Sequence, residues 1–296
     1  MLKRSCPLCG LKPESALNLS TPAIISEFVW RYACIKYWEH AINAVLCGEC
    51  GVVYFDHCFD QDETELLYVG YRGKRYCAVR QFYESDYLQR DESLQSLDYF
   101  HKRVAYLSEF LQFYINSTPG SIFFRHFLRG GQARVLDFGS SDSSILSASI
   151  ENTLLASCSY RIDSYDVGAE MPNTADYDLI VVDQVLEHLS SCSTVLDMIG
   201  QARPSTAFVI GVPLELPDTI IKDFQPLCDA RDKSGRQNFM VVHEHINYFS
   251  IDSLHYLCSS IQSLYHREAT WFKCQGGDVA YVGIGVVNGR PRLSAD

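Results

Sequence analysis

Arg134-Val135-Leu136-Asp137-Phe138-Gly139-Ser140-Ser141-Asp142-Ser143 runs from a β-rich apolar segment into a loop of small residues. An apolar run of that length bounded by turn formers predicts a buried strand over Arg134 to Phe138, and the following pattern predicts a helix over Ser143 to Glu151. The alternation continues downstream. Tyr160 to Asp166 reads as a second strand, Tyr177 to Asp183 as a third, Ser193 to Ala202 as a helix and Thr206 to Pro213 as a fourth strand. Such alternation implies an α/β, doubly wound sheet of parallel strands with helices on both faces. Ser250 then caps a helix with the stripe Leu254, Leu257, Cys258 and Ile261. Leu264 to Lys273 and Val279 to Val287, joined through Gly276-Gly277, predict two antiparallel strands at the sheet edge, and the chain from Asn288 reads as a polar tail.

In a sheet of this kind ligands sit beyond the carboxyl ends of the strands, where the winding reverses. Three turns therefore matter. Gly139-Ser140-Ser141-Asp142-Ser143 lets backbone approach a ligand, with serines able to cap the next helix. Asp166 ends the second strand, and an ionised acid there can accept from two adjacent ribose hydroxyls. Asp183-Gln184-Val185-Leu186-Glu187-His188-Leu189 follows the third strand. Glu187 and His188 read most simply as the opening of a helix, where the dipole favours a carboxylate.

Upstream, Cys6-Pro7-Leu8-Cys9-Gly10 and Cys47-Gly48-Glu49-Cys50-Gly51 are two C-x2-C-G knuckles, with 37 residues separating Cys9 from Cys47. Each glycine allows the turn that points two sulfurs at one place, and two knuckles supply Cys6, Cys9, Cys47 and Cys50 as a closed structural zinc site. The aromatic-rich Ile24 to Val45 segment reads as a helical insertion. His57 and Cys58 are surplus to a four-thiolate site and read as packing residues. These features divide the chain into a zinc-ribbon module over 1–60, a helical Tyr-rich segment over 61–130, an α/β domain over 131–288 and a tail over 289–296. In the Tyr-rich segment Asp98 to Ile115 predicts a helix on Val104, Leu107, Leu111 and Ile115, while Tyr68, Tyr71, Tyr76 and Tyr83 read as core more readily than as pocket lining.

Of 296 residues 47% are apolar and 21% charged, and 25 Lys plus Arg face 36 Asp plus Glu for a net charge of −11. That excess of anions argues against nucleic acid as the partner. No stretch approaches the ~18 apolar residues of a membrane span, and the first residues run into a cysteine pair rather than a secretory core. A cytoplasmic protein with no membrane partner and reduced thiols is the expectation.

Val135 to Gly139 (V-L-D-F-G), Ser164 to Val167 (S-Y-D-V) and Tyr177 to Leu189 (Y-D-L-I-V-V-D-Q-V-L-E-H-L) resemble motif I, the ribose-binding acid and the post-strand segment of class I S-adenosylmethionine (SAM) dependent methyltransferases. His243 to Ser250 (H-E-H-I-N-Y-F-S) together with the Cys knuckles is similar to a zinc-bearing subgroup that includes sugar C-methyltransferases of deoxysugar and polysaccharide biosynthesis. The resemblance implies a Rossmann-like methyltransferase sheet with SAM contacted by Asp137, Gly139, Ser141, Asp166, Asp183 and Gln184. It also implies His245 as general base, Glu244 as the residue that orients or polarises, and a small-molecule acceptor such as a nucleotide-linked sugar or polysaccharide precursor. C- and O-methylation both stay open. Motif I departs from the usual G-x-G-x-G at Ser141 and Ser143, and ten residues between Asp166 and Tyr177 leave little room for another strand. A non-catalytic methyltransferase-like subunit, or a zinc-ribbon binding protein with a degenerate SAM site, is the alternative. For His243, Glu244 and His245 the plain structural alternative is a hydrogen-bonded turn anchoring the Ser250 helix.

Overall fold

The computed structural model describes residues 2–12, 15–19, 23–35, 42–117, 120–121, 124, 132–140, 142–166, 170–214, 244–275 and 279–285. In chain order the first elements are β1 (Leu2–Lys3), β2 (Ser15–Leu19), α1 (Ala23–Ala33), β3 (Ile42–Leu46), β4 (Val53–Phe55) and β5 (His57–Cys58). Four helices follow: α2 (Gln61–Tyr68), α3 (Lys74–Tyr83), α4 (Tyr87–Leu94) and α5 (Leu97–Asn116). Then come β6 (Ala133–Phe138), α6 (Ser144–Glu151), β7 (Tyr160–Tyr165), β8 (Leu179–Asp183), α7 (Ser193–Gln201) and β9 (Ala207–Pro213). The last are β10 (Asn247–Tyr248), α8 (Ile251–Tyr265), β11 (Glu268–Lys273) and β12 (Val279–Gly285). No described helix is long and apolar enough to cross a membrane.

The chain forms two compact units. The first comprises Met1–His101, Leu186–Ser193 and Pro213–Ser253. Its four-stranded sheet has the order β10-β4-β3-β2, and β1 pairs with β5. Among the described residues of the Ile24 to Val45 segment, read as one helical insertion, the first part is helical and the last is not: α1 ends at Ala33, where Cys34 turns left-handed at φ 57°, and Ile42–Leu46 is a strand held between β2 and β4. The β-branched Ile42 and Val45 suit that paired position. Phe28, Tyr32, Phe55, Tyr76 and Tyr248, packed with Leu67, build its largely aromatic core.

The second unit comprises Lys102–Val185, Thr194–Val212 and Leu254–Asp296 and carries the central α/β sheet in the order β11-β12-β9-β8-β6-β7, flanked by helices. β7, β6, β8 and β9 are mutually parallel, and β11 pairs antiparallel with β12. This is the expected Rossmann-like architecture. Ile180, Val181 and Val182 are fully buried, as a strand covered on both faces requires. Leu107, Phe110, Leu111 and Tyr114 of α5 pack into the same core as Val135, Val181 and Val209. Leu264 and Tyr265, read with the β11 strand, instead finish α8, and His266 at φ 52° makes the break. After β6 the chain goes to β7 on one side and then to β8 on the other, so the winding reverses between β6 and β8.

Candidate functional site

At the reversal point the β6 loop is built from short local bonds. Gly139 and Ser140 both donate their amides to the Tyr165 carbonyl, at 2.7 and 3.2 Å. Those donors are committed and would not serve a ligand. Gly139 has φ +87°, and a Cβ there would lie 2.4 Å from a Val185 methyl, so no other residue fits without displacing the β8 loop. Ser143 adopts a left-handed φ of 53° and makes no side-chain cap; Asp142 accepts from the Ser144 amide instead, at 3.0 Å. Ser141 lies outside the described residues.

Asp137 is 6% exposed, and burial pushes its carboxyl up to about 6 from 3.8. The Ser143 and Ser140 hydroxyls pull it down, Asp183 adds to the rise and Arg103 opposes it. The folded chain therefore holds this proton more tightly than the unfolded chain. The stability it confers is complete below pH ~4 and is lost as pH rises to ~6, about 3 kcal/mol in all. Asp137→Asn is expected to raise the melting temperature more at pH 8 than at pH 4 in thermal denaturation followed by circular dichroism; an equal shift at both would contradict this origin.

Asp166 is exposed at the carboxyl end of β7. Asp183 ends β8 and pairs with Arg103 from α5, with Tyr281 beside it, whose phenol is driven well up by burial and by Asp183. Gln184 follows at a left-handed φ of 56°, its amide held by the Gly211 carbonyl at 2.9 Å. The sheet unit thus gathers Asp137, Gly139, Asp183 and Gln184 around the reversal, with Asp166 one strand over. No strand is described between Asp166 and Tyr177; Thr174–Asp176 form a short 3-10 turn. Arg103 was not legible as part of this group.

The first unit brings the four cysteines together: their sulfurs lie within 4.8 Å of one another, with Cys6 Sγ 3.4 Å from Cys50 Sγ and Cys9 Sγ 3.5 Å from Cys47 Sγ, all unbridged. A Zn–S bond of ~2.3 Å sets tetrahedral sulfurs ~3.8 Å apart, so the group fits zinc. In matching fashion the Cys6 and Cys47 amides donate to the Leu11 and Val52 carbonyls, at 2.9 Å each. The Cys50 thiol, and after it the Cys9 and Leu8 amides, lower Cys6 against the opposing effect of burial.

The same unit holds His245 and Glu244, and here the turn read as a helix opening takes another form. Leu186, Glu187 and His188 form a turn, and α7 begins only at Ser193. The reason is Asn247. Its side chain donates to the Leu186 and Leu189 carbonyls at 2.7 Å, while the Ile246 and Asn247 amides donate to the Glu187 carbonyl at 2.8 and 3.1 Å. These bonds hold the segment as a single turn, within which the Leu189 amide also donates to the Leu186 carbonyl at 3.3 Å. The bonds bring His188 to His245, ring centroids 4.9 Å apart and nearly perpendicular. His188 Nδ1 lies 2.8 Å from the Glu244 carbonyl and 3.4 Å from the Tyr68 hydroxyl. A carbonyl only accepts, so Nδ1 carries the hydrogen and Nε2 presents its lone pair.

Burial lowers His188, and burial followed by the His188 charge lowers His245 to about 4. Both rings are neutral at pH 7. The Glu244 carboxylate accepts from Tyr76 and from Arg80, the latter at 3.0 Å, and Arg80 Nη1 donates to the Tyr76 hydroxyl at 2.7 Å and Nε to Glu84. Glu244 is therefore an anchor rather than a free acid. Arg80 was missed in sequence, while Tyr76 is the buried residue expected and His188 was read as part of a helix opening. The signal for Arg80 is the i, i+4, i+8 placement of Tyr76, Arg80 and Glu84. His243 lies outside the described residues.

No family model and no curated protein matches this chain. Among solved structures it is similar to the plantazolicin methyltransferase BpumL in complex with SAH, at 10% identity and TM-score 0.43, over 77% of this chain and 99% of that one. It is also similar to the mitomycin 7-O-methyltransferase MmcR, at 15% and 0.33, over 53% of this chain and 50% of that one. A third is a Rhodobacter sphaeroides protein named as a Zn-dependent alcohol dehydrogenase, at 13% and 0.34, over 62% and 98%.

Proposed function

We propose that the protein is a SAM-dependent methyltransferase acting on a small-molecule acceptor, with His245 as general base and a structural zinc at Cys6, Cys9, Cys47 and Cys50. The observation that carries this reading is the acid-bearing reversal point of a doubly wound sheet joined in one chain to a pair of neutral imidazoles. Gly139, Asp166 and Asp183 sit where such sheets take adenosine-bearing ligands. Asp166 would accept from the ribose hydroxyls; Asp137 shapes the β6 loop from beneath. SAM would supply an electrophilic methyl group, leaving the protein to align the acceptor, exclude water and remove one proton. His245 can take that proton, being uncharged at neutral pH, and its lowering by burial makes it a weaker base than an exposed imidazole. Tyr76 and Arg80 fix Glu244 and so the backbone that presents His245.

A nucleotide-linked sugar is the acceptor class we favour, on the resemblance of the Glu244-His245-Ile246-Asn247 segment. Methyl-labelled SAM incubated with the zinc-loaded protein and a panel of nucleotide-linked keto and hydroxy sugars tests it. Label is expected in at least one sugar; label in none, with SAM bound, would exclude this acceptor class.

A further inference from the structure

Besides the four cysteines, the described residues hold a second group of metal-capable donors: atoms of Glu187, His188 and His245, all within 4.8 Å of one another. We propose that these three side chains form a site for an exchangeable divalent transition-metal ion of the zinc class.

Two imidazoles and a carboxylate are the donor set that borderline cations take in sites with an open fourth position. His188 already has the support of a metal ligand. Its Nδ1 donates to the Glu244 carbonyl at 2.8 Å, and a hydrogen bond of that kind is what fixes the ring so that the other nitrogen can bind an ion. The free Nε2 lies 3.9 Å from Oε1 of Glu187, a carboxylate on a residue only 1% exposed. Two acceptors facing each other at that distance are joined favourably by a cation between them. Zn–N and Zn–O bonds of ~2.0–2.2 Å put tetrahedral donors roughly 3.4 Å apart, within reach of modest side-chain rotation. The backbone need not move, because Asn247 holds the Glu187 turn and the 244–247 segment together. Three protein donors leave the fourth coordination position open.

Binding at this site does not depend on the methyltransferase reading. If that reading holds, the ion takes the lone pair His245 would use as base, and it suppresses transfer.

The test titrates full-length protein, its cysteine site already filled with zinc, with Co2+ at neutral pH. Total metal is counted by elemental analysis, and the cobalt absorption spectrum separates nitrogen–oxygen ligation from the thiolate charge-transfer band of the cysteine site. A second equivalent without the thiolate band is expected, weakened at least tenfold in His188→Ala and in Glu187→Gln. The carboxamide keeps the carboxylate's shape, so Glu187→Gln carries the comparison should His188→Ala fail to fold. Wild-type binding that stops at one equivalent overturns the proposal, as does a second equivalent held equally by a folded variant.

Discussion

Replacing His245 with alanine is expected to slow methyl transfer about 10²–10⁴-fold, the usual contribution of a positioned general base, with the affinity for S-adenosylhomocysteine (SAH) unchanged. Burial and His188 lower the His245 ring to about 4, so it is proton-free throughout the neutral range. The rate of wild type is accordingly expected to show no inflection from this group between pH 6 and 8. Single-turnover transfer and SAH calorimetry on the same variant separate the two effects. Loss of SAH binding along with rate would assign His245 to folding instead. Glu244→Gln is expected to act more weakly, since its anchoring bonds from Tyr76 and Arg80 can partly survive on the carboxamide oxygen.

Stripping zinc, or replacing Cys47 with serine, is expected to unfold the first unit. Structural zinc sites in small modules contribute roughly 10–16 kcal/mol, comparable to an ordinary domain's whole stability. The same change should dismantle the histidine pair, because the knuckles and the histidine loops are stitched together. Arg4, two residues before Cys6, donates to the Ile246 carbonyl at 2.6 Å and to the Ser190 carbonyl at 3.0 Å. The Cys192 amide reaches the Pro7 carbonyl at 2.9 Å, and β10, immediately after His245 and Ile246, pairs with β4, which follows the second knuckle. Chelation is therefore expected to abolish transfer and to expose the unit to limited proteolysis while the sheet unit stays folded. A chelated protein with an unchanged digestion pattern would show that the cysteines do not hold a structural ion.

The sheet was legible because its signal is local. Strands such as Leu179–Asp183 are continuous apolar runs closed by an acid, and neither end depends on distant residues. The cysteine knuckles were legible for the same reason, each being a five-residue pattern with its own glycine at positive φ, 76° at Gly10 and 71° at Gly51. What could not be read is long-range. Arg80 and Glu244 are 164 residues apart, and His188 and the Glu244 carbonyl 56. The Glu187-His188 stretch has the sequence of a helix start, yet Asn247 claims its carbonyls from 58 and 61 residues away. Arg103 likewise looks like one more exposed helix cation until α5 sets it against Asp183.

Calorimetric titration of zinc-loaded protein with SAH, with reduced nicotinamide dinucleotide as the competing ligand of such sheets and Asp166→Ala as the variant, tests the central claim most directly. Micromolar SAH binding, about −8 kcal/mol, that is lost in Asp166→Ala and undisturbed by the dinucleotide is the expected result. No heat with SAH on a folded protein, or tight dinucleotide binding in its place, would contradict the methyltransferase reading.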